Sequence, residues 1–360
     1  MRIALLYNLA ENAPQPDPNS PADALYELDH PGNVAAYAAA LRAGGHEVFP
    51  MEGDTAMVQR IKDLSIDLCY NTCEGFRGDA REAQVPALLE MIGVPYTGSR
   101  VMTLALTLDK AMTKRILAYH GLPSPAFQEF FSADDPIDAR LADRFPLFAK
   151  PNSEGTGKGI SEKSIVRNER DLRTQVAYLL NGYHESVLVE QYIEGNDVTI
   201  GLVGNWPDLH LFPISMIDNA LYEKTGLSVY GAALKVDLGD AYQYSCPAPL
   251  PADLADELRR LAVETMRVTE TLDFARVDFR LDRHDNNQPY ILEINSLPGI
   301  TPISDLTLMA QANGWTHADL VYSVLEAAMR RMGLQLDLPA RIMRQEYSWV
   351  SAVRKDQRAR

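Results

Sequence analysis

The chain has 360 residues, 46% of them hydrophobic and 23% charged, with 34 Lys and Arg against 49 Asp and Glu, a formal net charge of −15. At roughly 150 residues per domain this length predicts two or three folded domains, and the composition excludes a disordered chain or a disulfide-stapled mini-protein. The acidic balance argues against a nucleic-acid partner, which needs a basic face, but leaves room for a local anion site built from a few lysines and a magnesium ion.

Cys69, Cys73 and Cys246 are too few for a disulfide framework, and no His or Cys pair elsewhere completes a zinc site with the first two. The opening Met-Arg-Ile-Ala-Leu-Leu-Tyr turns polar at Asn8, too early for a signal peptide. No window approaches the run of about 18 apolar residues that a membrane span requires. These features predict a reduced, cytoplasmic protein without a membrane partner.

The apolar run over 2–7 predicts a buried parallel strand. The Pro- and Asp-rich stretch over 11–31 reads as a long loop, of a kind that is a functional lid or disordered. A helix over 34–43 stops at Gly44-Gly45, and strands over 46–49 and 66–70 flank a helix over 55–64. A helix over 83–92, closed by Gly93, and a strand over 94–97 follow. This alternation predicts a parallel sheet covered on both faces, in a first domain that ends near Ser99. The second block, 100–189, holds a helix over 105–119, a strand over 146–150, a glycine-rich turn and a helix over 169–180. The third has strands at 187–192 and 198–203, then a helix over 252–271 with Leu254, Leu258, Leu261 and Ala262 on one face. Strands over 275–281 and 289–294 make a hairpin around the turn-rich 282–288. The tail from Arg341 is rich in arginine and has no strong periodicity.

Two segments carry chemistry. In Phe148-Ala-Lys-Pro-Asn-Ser-Glu-Gly-Thr-Gly-Lys-Gly-Ile160 a strand delivers Lys150, and alternate glycines free backbone N–H groups to turn toward an anion. The loop is neither a Walker loop nor GxGxxG; alone it is a plain hairpin as often as not, and the lysine before it raises the phosphate reading. In Ala275-Arg-Val-Asp-Phe-Arg280, Arg276 and Asp278 share one strand face, as do Glu293 and Asn295 in Ile291-Leu-Glu-Ile-Asn-Ser-Leu-Pro-Gly299. Two carboxylates and an amide oxygen on one sheet face suit Mg²⁺; the bland reading is a solvated face with an ion pair.

These segments, in this order, resemble the ATP-grasp enzymes, and within them the D-alanine–D-alanine ligase family. The resemblance runs over 67–320 and takes in Gly93-Val-Pro-Tyr-Thr-Gly-Ser99, Leu108-Asp-Lys-Ala-Met-Thr-Lys114, Val189-Glu-Gln-Tyr-Ile-Glu-Gly195 and Glu293-Ile-Asn-Ser-Leu-Pro-Gly-Ile-Thr301. It implies an α/β ATP-grasp fold. A Rossmann-like parallel-sheet domain over 1–99 precedes two α+β subdomains that clamp ATP, one over 100–189 with the glycine-rich lid and one over 190–340 with the metal and catalytic residues; 341–360 is a tail.

Position by position, the resemblance implies that Lys110 and Lys150 hold the ATP phosphates beneath a flexible lid at 153–159, comprising Ser153, Glu154, Gly155, Thr156, Gly157 and Lys158. Glu190, Gln191, Tyr192 and Ile193 match the hinge bordering adenine, Asp197 an acidic residue on the ribose, and Lys235 a lysine in a second loop over the nucleotide. Asp278, Glu293 and Asn295 match magnesium ligands. Arg276 and the Gly299 backbone match the oxyanion stabilisers, Thr156 replaces the catalytic loop's serine, and Ser304 matches a contact to the second substrate's carboxylate.

The family's Gly-Gly-x-Ser loop, with a Glu that positions the first D-alanine, is here Tyr7-Asn-Leu-Ala, which leaves Glu27 or Asp29 for that role. Its His-Gly-x-x-Gly-Glu-Asp-Gly stretch becomes Glu74-Gly-Phe-Arg-Gly-Asp-Ala-Arg81, with Glu74 in the histidine position. Glu74 either attracts a substrate ammonium or pairs with Arg77 or Arg81 at the surface. Val236 stands where a tyrosine follows the loop lysine.

The implied function is an ATP-dependent carboxylate–amine ligase working through an acyl phosphate. It would use ATP and two magnesium ions, with manganese able to substitute, and join two amino acids, D-alanine by default, in a peptidoglycan context. A homodimer through the first domain would fit the family. The alternatives are a ligase for another amino acid or biosynthetic intermediate, and a nucleotide-binding regulatory protein that has lost catalysis.

Overall fold

Ile3, Ala4, Leu5 and Leu6 are all fully buried, so the first strand must be covered on both faces. The computed structural model describes residues 1–15, 21–217 and 244–334. Strand β1 (Arg2–Tyr7) is followed by α1 (Pro31–Ala43), β2 (Glu47–Glu52), α2 (Met57–Asp63) and β3 (Leu68–Asn71), and the strands form a parallel sheet in the order β2-β1-β3. Helix α1 begins three residues before the expected start, with Pro31 in its first turn, where a missing N–H costs nothing. Helix α3 (Gln84–Ile92) ends at Gly93 in the left-handed conformation, φ 73°. The strand expected over 94–97 is a single bridge between Cys69 and Tyr96. Pro95 accepts from the Cys69 N–H at 2.8 Å but has no N–H to continue a ladder.

The helix expected over 105–119 is two helices, α4 (Val101–Leu108) and α5 (Lys110–Tyr119), broken at Asp109. Asp109 is extended, and its side chain caps α5 by accepting from the Met112 N–H at 2.9 Å, a bond a mid-helix Asp could not make. Asn152 donates to the same carboxylate at 2.9 Å and accepts from the Ala111 N–H at 2.9 Å. The break therefore pins Lys110 beside the end of the strand that carries Lys150.

Next come β4 (Phe127–Phe130), the short α6 (Ala139–Ala142), β5 (Leu147–Pro151), β6 (Ile165–Val166), α7 (Glu169–Tyr183) and β7 (Val187–Gln191). Their strands form an antiparallel sheet in the order β4-β7-β5-β6, and Leu172, Val176 and Leu179 of α7 pack on Leu147, Ala149 and Val187. The chain then passes to a third sheet. Strands β8 (Gly195–Asn205), β9 (Asp208–Leu211), β10 (Ser215–Ile217), β11 (Tyr244–Ser245), β12 (Phe274–Asp282) and β13 (Gln288–Asn295) lie in the order β11-β10-β8-β12-β13, with β9 on β8. Helix α8 (Ala252–Val268) covers one face of this sheet with Leu258, Leu261 and Ala262, ending three residues short of the expected 271. Helices α9 (Asp305–Ala312) and α10 (His317–Arg331) complete the described chain. Lys235, Val236, the second loop over the nucleotide and the tail lie outside the described residues.

One core cluster joins Tyr37 and Leu41 of α1, Phe212, Phe274 and Leu320 and Val324 of α10, so the parallel sheet and the third sheet share packing. Asp273, fully buried, fastens the same junction. It accepts from the Gly98 N–H at 2.8 Å, Asn205 Nδ2 at 2.9 Å, and Arg331 Nε and Nη2 at 3.0 and 2.8 Å. Asp273→Ala leaves the Arg331 guanidinium and the Gly98 amide without their acceptor, and removing one partner of a buried pair costs about 3–5 kcal/mol. We expect a loss of that size in urea denaturation followed by circular dichroism; a loss under about 1 kcal/mol would refute the assignment of Asp273 as the tie.

Candidate active site

A carboxylate inside a sheet must be neutralised, and Glu190 on β7 is buried between two ammonium groups. Lys114 lies 2.7 Å from one oxygen and Lys150 2.9 Å from the other. Burial alone would raise the Glu190 carboxyl, but Lys114 and Lys150 outweigh it and hold its pKa down to about 2. Burial works against the charge on Lys150, yet Glu190 and Glu293 overcome that and raise its pKa. Lys114 was not singled out as a site residue, although it lies four residues after Lys110 on one face of α5.

Loop 153–159 covers this end of the sheet. Lys150, Glu154, Gly155, Thr156, Gly157 and Lys158 line a cavity of about 160 Å³, together with Lys110. Glu190, Gln191, Tyr192, Ile193 and Asp197 form its other wall. Phe148 and Tyr192 stack at 6.3 Å between centroids and offer an aromatic wall. Asp197 is paired with Arg280 at 2.6 Å. Arg280 was missed by sequence reasoning, although its alternation with Arg276 and Asp278 places it on the same face of β12. Ser153 does not line this cavity: its N–H donates to Glu185 at 3.1 Å and its carbonyl accepts from Arg81 at 2.9 Å.

The hairpin supplies the floor. Arg276 stands opposite Asn295 and Asp278 opposite Glu293, as the alternation predicts. Ile291 and Ile294 are both buried although three residues apart, which a regular strand forbids. A bulge between the Asp278–Glu293 and Phe279–Ile291 pairs absorbs the odd residue, Leu292, and keeps Glu293 and Asn295 on the site face. Asp278 receives Arg276 Nη2 at 2.9 Å, Asn295 Nδ2 at 3.0 Å and Thr199 Oγ1 at 3.0 Å. Burial opposes the charge on Arg276, but Asp278 and Asp305 outweigh it and raise the guanidinium's pKa. Glu293 lies 3.7 Å from Lys110.

Arg276, Thr156 and Asp305 also line a second cavity of about 820 Å³. Its walls include Glu27, Asp29, Glu74, Gly299 and Ser304. A Cβ built on Gly299 would meet nothing within 4 Å, so its backbone is open to the cavity. Ser304 donates to the Thr301 carbonyl at 3.0 Å just before α9. Glu74 does not pair with Arg77 or Arg81. Burial, with Glu82 and Glu27 nearby, pushes its carboxyl well above the usual range. Arg81 turns instead to Glu27 and Glu154, at 2.8 and 2.9 Å. Glu27 also pairs with Lys158 at 2.8 Å; burial would raise its carboxyl, but Arg81 and Lys158 bring it down to about 2. Asp29 is raised to about 6 by burial, against hydrogen bonds from Asn33 and Thr72.

Among the described residues no group of three or more His, Cys, Asp or Glu side chains is placed to hold a metal ion. The donor set at the hairpin is two carboxylates and an amide oxygen, hard ligands that fit Mg²⁺ when substrate phosphates complete its shell. No described helix is long and apolar enough to cross a membrane.

A parallel-sheet domain followed by two antiparallel sheets that close on a glycine-rich loop is the architecture of an ATP-grasp enzyme. A crystal structure of the D-alanine–D-alanine ligase of Bacillus anthracis complexed with ATP shares this fold, with a TM-score of 0.69 at 23% identity over 92% of this chain and 99% of that one. The family described as "D-ala D-ala ligase C-terminus" matches residues 116–326. D-alanine–D-alanine ligase of Cupriavidus metallidurans is 33% identical over 295 residues, 81% of this chain and 84% of that protein. The uncharacterised protein y4sG of Sinorhizobium fredii is 32% identical over 350 residues, 92% of this chain and 98% of that protein. The chain belongs to the D-alanine–D-alanine ligase family of ATP-grasp ligases, which form a C–N bond at the expense of ATP.

The Glu190 trio makes a pH prediction. Because its folded pKa of about 2 lies below the ordinary 4.5, its contribution to stability is complete above pH 4.5 and is lost as pH falls toward 2. Glu190→Gln should abolish that part of the acid dependence and destabilise at neutral pH by about 3–5 kcal/mol, because two ammonium groups lose their counter-charge. Urea midpoints at pH 3 and pH 7 for the two proteins provide the check.

Proposed function

We propose that the protein joins two D-alanine molecules into a dipeptide, with release of ADP and phosphate, and that the geometry of the hairpin carries this reading: Asp278 and Glu293 line the smaller cavity, Asn295 stands opposite Arg276, and Arg276 itself lines both cavities. The smaller cavity takes ATP. Lys110, Lys150 and Lys158 face its phosphates, the loop N–H groups cover them, and Phe148 and Tyr192 flank the base. Asp197 meets the ribose.

Asp278, Glu293 and Asn295 would hold magnesium, in two ions, with manganese able to substitute. Such ions supply charge neutralisation of the triphosphate during phosphoryl transfer. The chain's own groups do the rest. One substrate carboxylate attacks the γ-phosphorus, the bond to the β-phosphate oxygen breaks, and ADP leaves. The acyl phosphate lies by Arg276, whose guanidinium stays charged and, with the Gly299 N–H, stabilises the oxyanion that forms when the second amine attacks. Phosphate then departs and the new amide is free. Thr156, on the wall of both cavities, sits where the two substrates meet. Ser304 at the start of α9 receives the second carboxylate, and Glu74 or Glu27 the first substrate's ammonium. The setting is the cytoplasm, as a homodimer through the first domain, in supply of peptidoglycan precursors.

ADP release against a panel of D- and L-amino acids tests the reading directly: D-alanine should give the fastest release, matched by dipeptide. No release with any amino acid would sink it. Glu293→Gln should lower turnover by more than the ~10–100-fold typical of groups that only orient a metal ligand, while ATP affinity weakens by less than tenfold. Near-normal turnover at saturating magnesium would overturn the metal assignment. Because burial raises the Glu74 carboxyl, an ammonium is held there only as the proton leaves; Glu74→Gln, which has no proton to give up, should raise the Michaelis constant for the amino acid by about tenfold, or 1.4 kcal/mol, and leave that for ATP unchanged.

A further inference from the structure

Arg81 lies outside both cavities and touches one wall of each. Its side chain is 9% exposed. One nitrogen, Nη2, reaches Glu27 at 2.8 Å and Glu154 at 2.9 Å, and Nη1 donates to the Ser153 carbonyl at 2.9 Å. Glu27 belongs to segment 21–29 and lines the larger cavity; Glu154 belongs to the glycine-rich loop and lines the smaller. Glu27 also accepts from the Gly155 N–H at 2.5 Å, so close that a Cβ on Gly155 would strike its oxygen, and Lys158 bridges Glu27 to Glu154. A second tie runs parallel: Asp23 accepts from the Gly159 N–H at 3.0 Å and from the Tyr183 hydroxyl at 3.0 Å.

Two cations and two carboxylates make this cluster neutral, and its planar guanidinium spans three acceptors that a lysine's single nitrogen cannot reach together. A buried ionic cluster is weak evidence for stability, because apolar packing would serve as well. We propose that Arg81 is a positioning residue of the ligase reaction, fastening segment 21–29 to the glycine-rich loop so that one wall of the amino-acid cavity and the lid over the nucleotide move as one body. The proposal rests on the ligase reading above. The lid then excludes water from the acyl phosphate only while Glu27 is seated in the amino-acid cavity. With the tie cut, water can take the amine's place: it attacks the acyl carbon, phosphate leaves, the free amino acid returns, and ADP accumulates without dipeptide.

The test measures ADP and dipeptide in the same reaction for wild type, Arg81→Ala and Arg81→Lys. Cutting the tie should raise the Michaelis constants for ATP and for the amino acid together, each by about tenfold, and push ADP per dipeptide clearly above the wild-type ratio. Low millimolar guanidinium should restore the ratio in Arg81→Ala. A lowered melting temperature with an unchanged ratio and unchanged constants would reduce Arg81 to a structural role, and so would movement of only one constant. If Arg81→Ala does not fold, Arg81→Lys decides. Tryptic cleavage after Lys158, followed without nucleotide or amino acid, reads the tie apart from catalysis. Faster cleavage in the variants supports the tie even if wild type joins no amino acids; an unchanged rate overturns it.

Discussion

A cation in a partly dry cleft must have a carboxylate in contact, and the candidate site is organised by that requirement. Lys114 and Lys150 share Glu190, Lys158 shares Glu27 and Glu154, Arg280 holds Asp197, and Arg276 holds Asp278. This explains how a chain with a net charge of −15 can be built to receive a polyanion. The acidic residues are not a hostile background; several are the partners that hold the lysines of the cleft in place and keep Lys150 and Lys158 charged. A triphosphate entering such a cleft exchanges partners with carboxylates instead of meeting bare positive charge, so its affinity is a difference between two well-satisfied states.

The same requirement separates what the sequence shows from what it hides. Alternation alone placed Arg276, Asp278, Glu293 and Asn295 on one face, because strand periodicity is local and needs no knowledge of the fold. The glycine-rich loop after Lys150 was legible for the same reason. Arg81 was not, because its three acceptors come from segments up to 73 residues distant, and nothing local announces them. Lys114 was hidden in plain view: its face of α5 could be read, but its counter-charge sits on another sheet. Element ends failed where one side chain overrode a pattern. Asp109 split a continuous helical periodicity by capping, and Pro95 reduced an apolar strand pattern to one bridge.

Packing at a distance then holds the two cavities at one wall. Helix α10 joins α1 and Phe274 in one core, and Asp273 receives donors from Gly98, Asn205 and Arg331 beside it. Asp273 directly precedes the strand that carries Arg276 and Phe274 opens it, so the junction that seats the parallel-sheet domain also seats the floor of the site. The walls contributed by segment 21–29 and by Glu74 come from that first domain, whereas the floor comes from the third sheet. The larger cavity thus depends on the junction between the first sheet and the third, and the smaller one on the loop and the two antiparallel sheets.

The bulge at Leu292 sets different rules for two kinds of genetic change. Point substitutions along the walls of the larger cavity alter one side chain and leave every neighbour facing as before. An in-frame gain of one codon between Leu292 and Asn295 would turn residues of the site face into the core and bring a core residue out toward Asp278, because strand faces alternate residue by residue. The odd residue has already been absorbed once, at Leu292, so a second has nowhere to go without breaking the buried pair of Ile291 and Ile294. The lining of the larger cavity is therefore open to change one side chain at a time, while this hairpin arm has no room for a further residue.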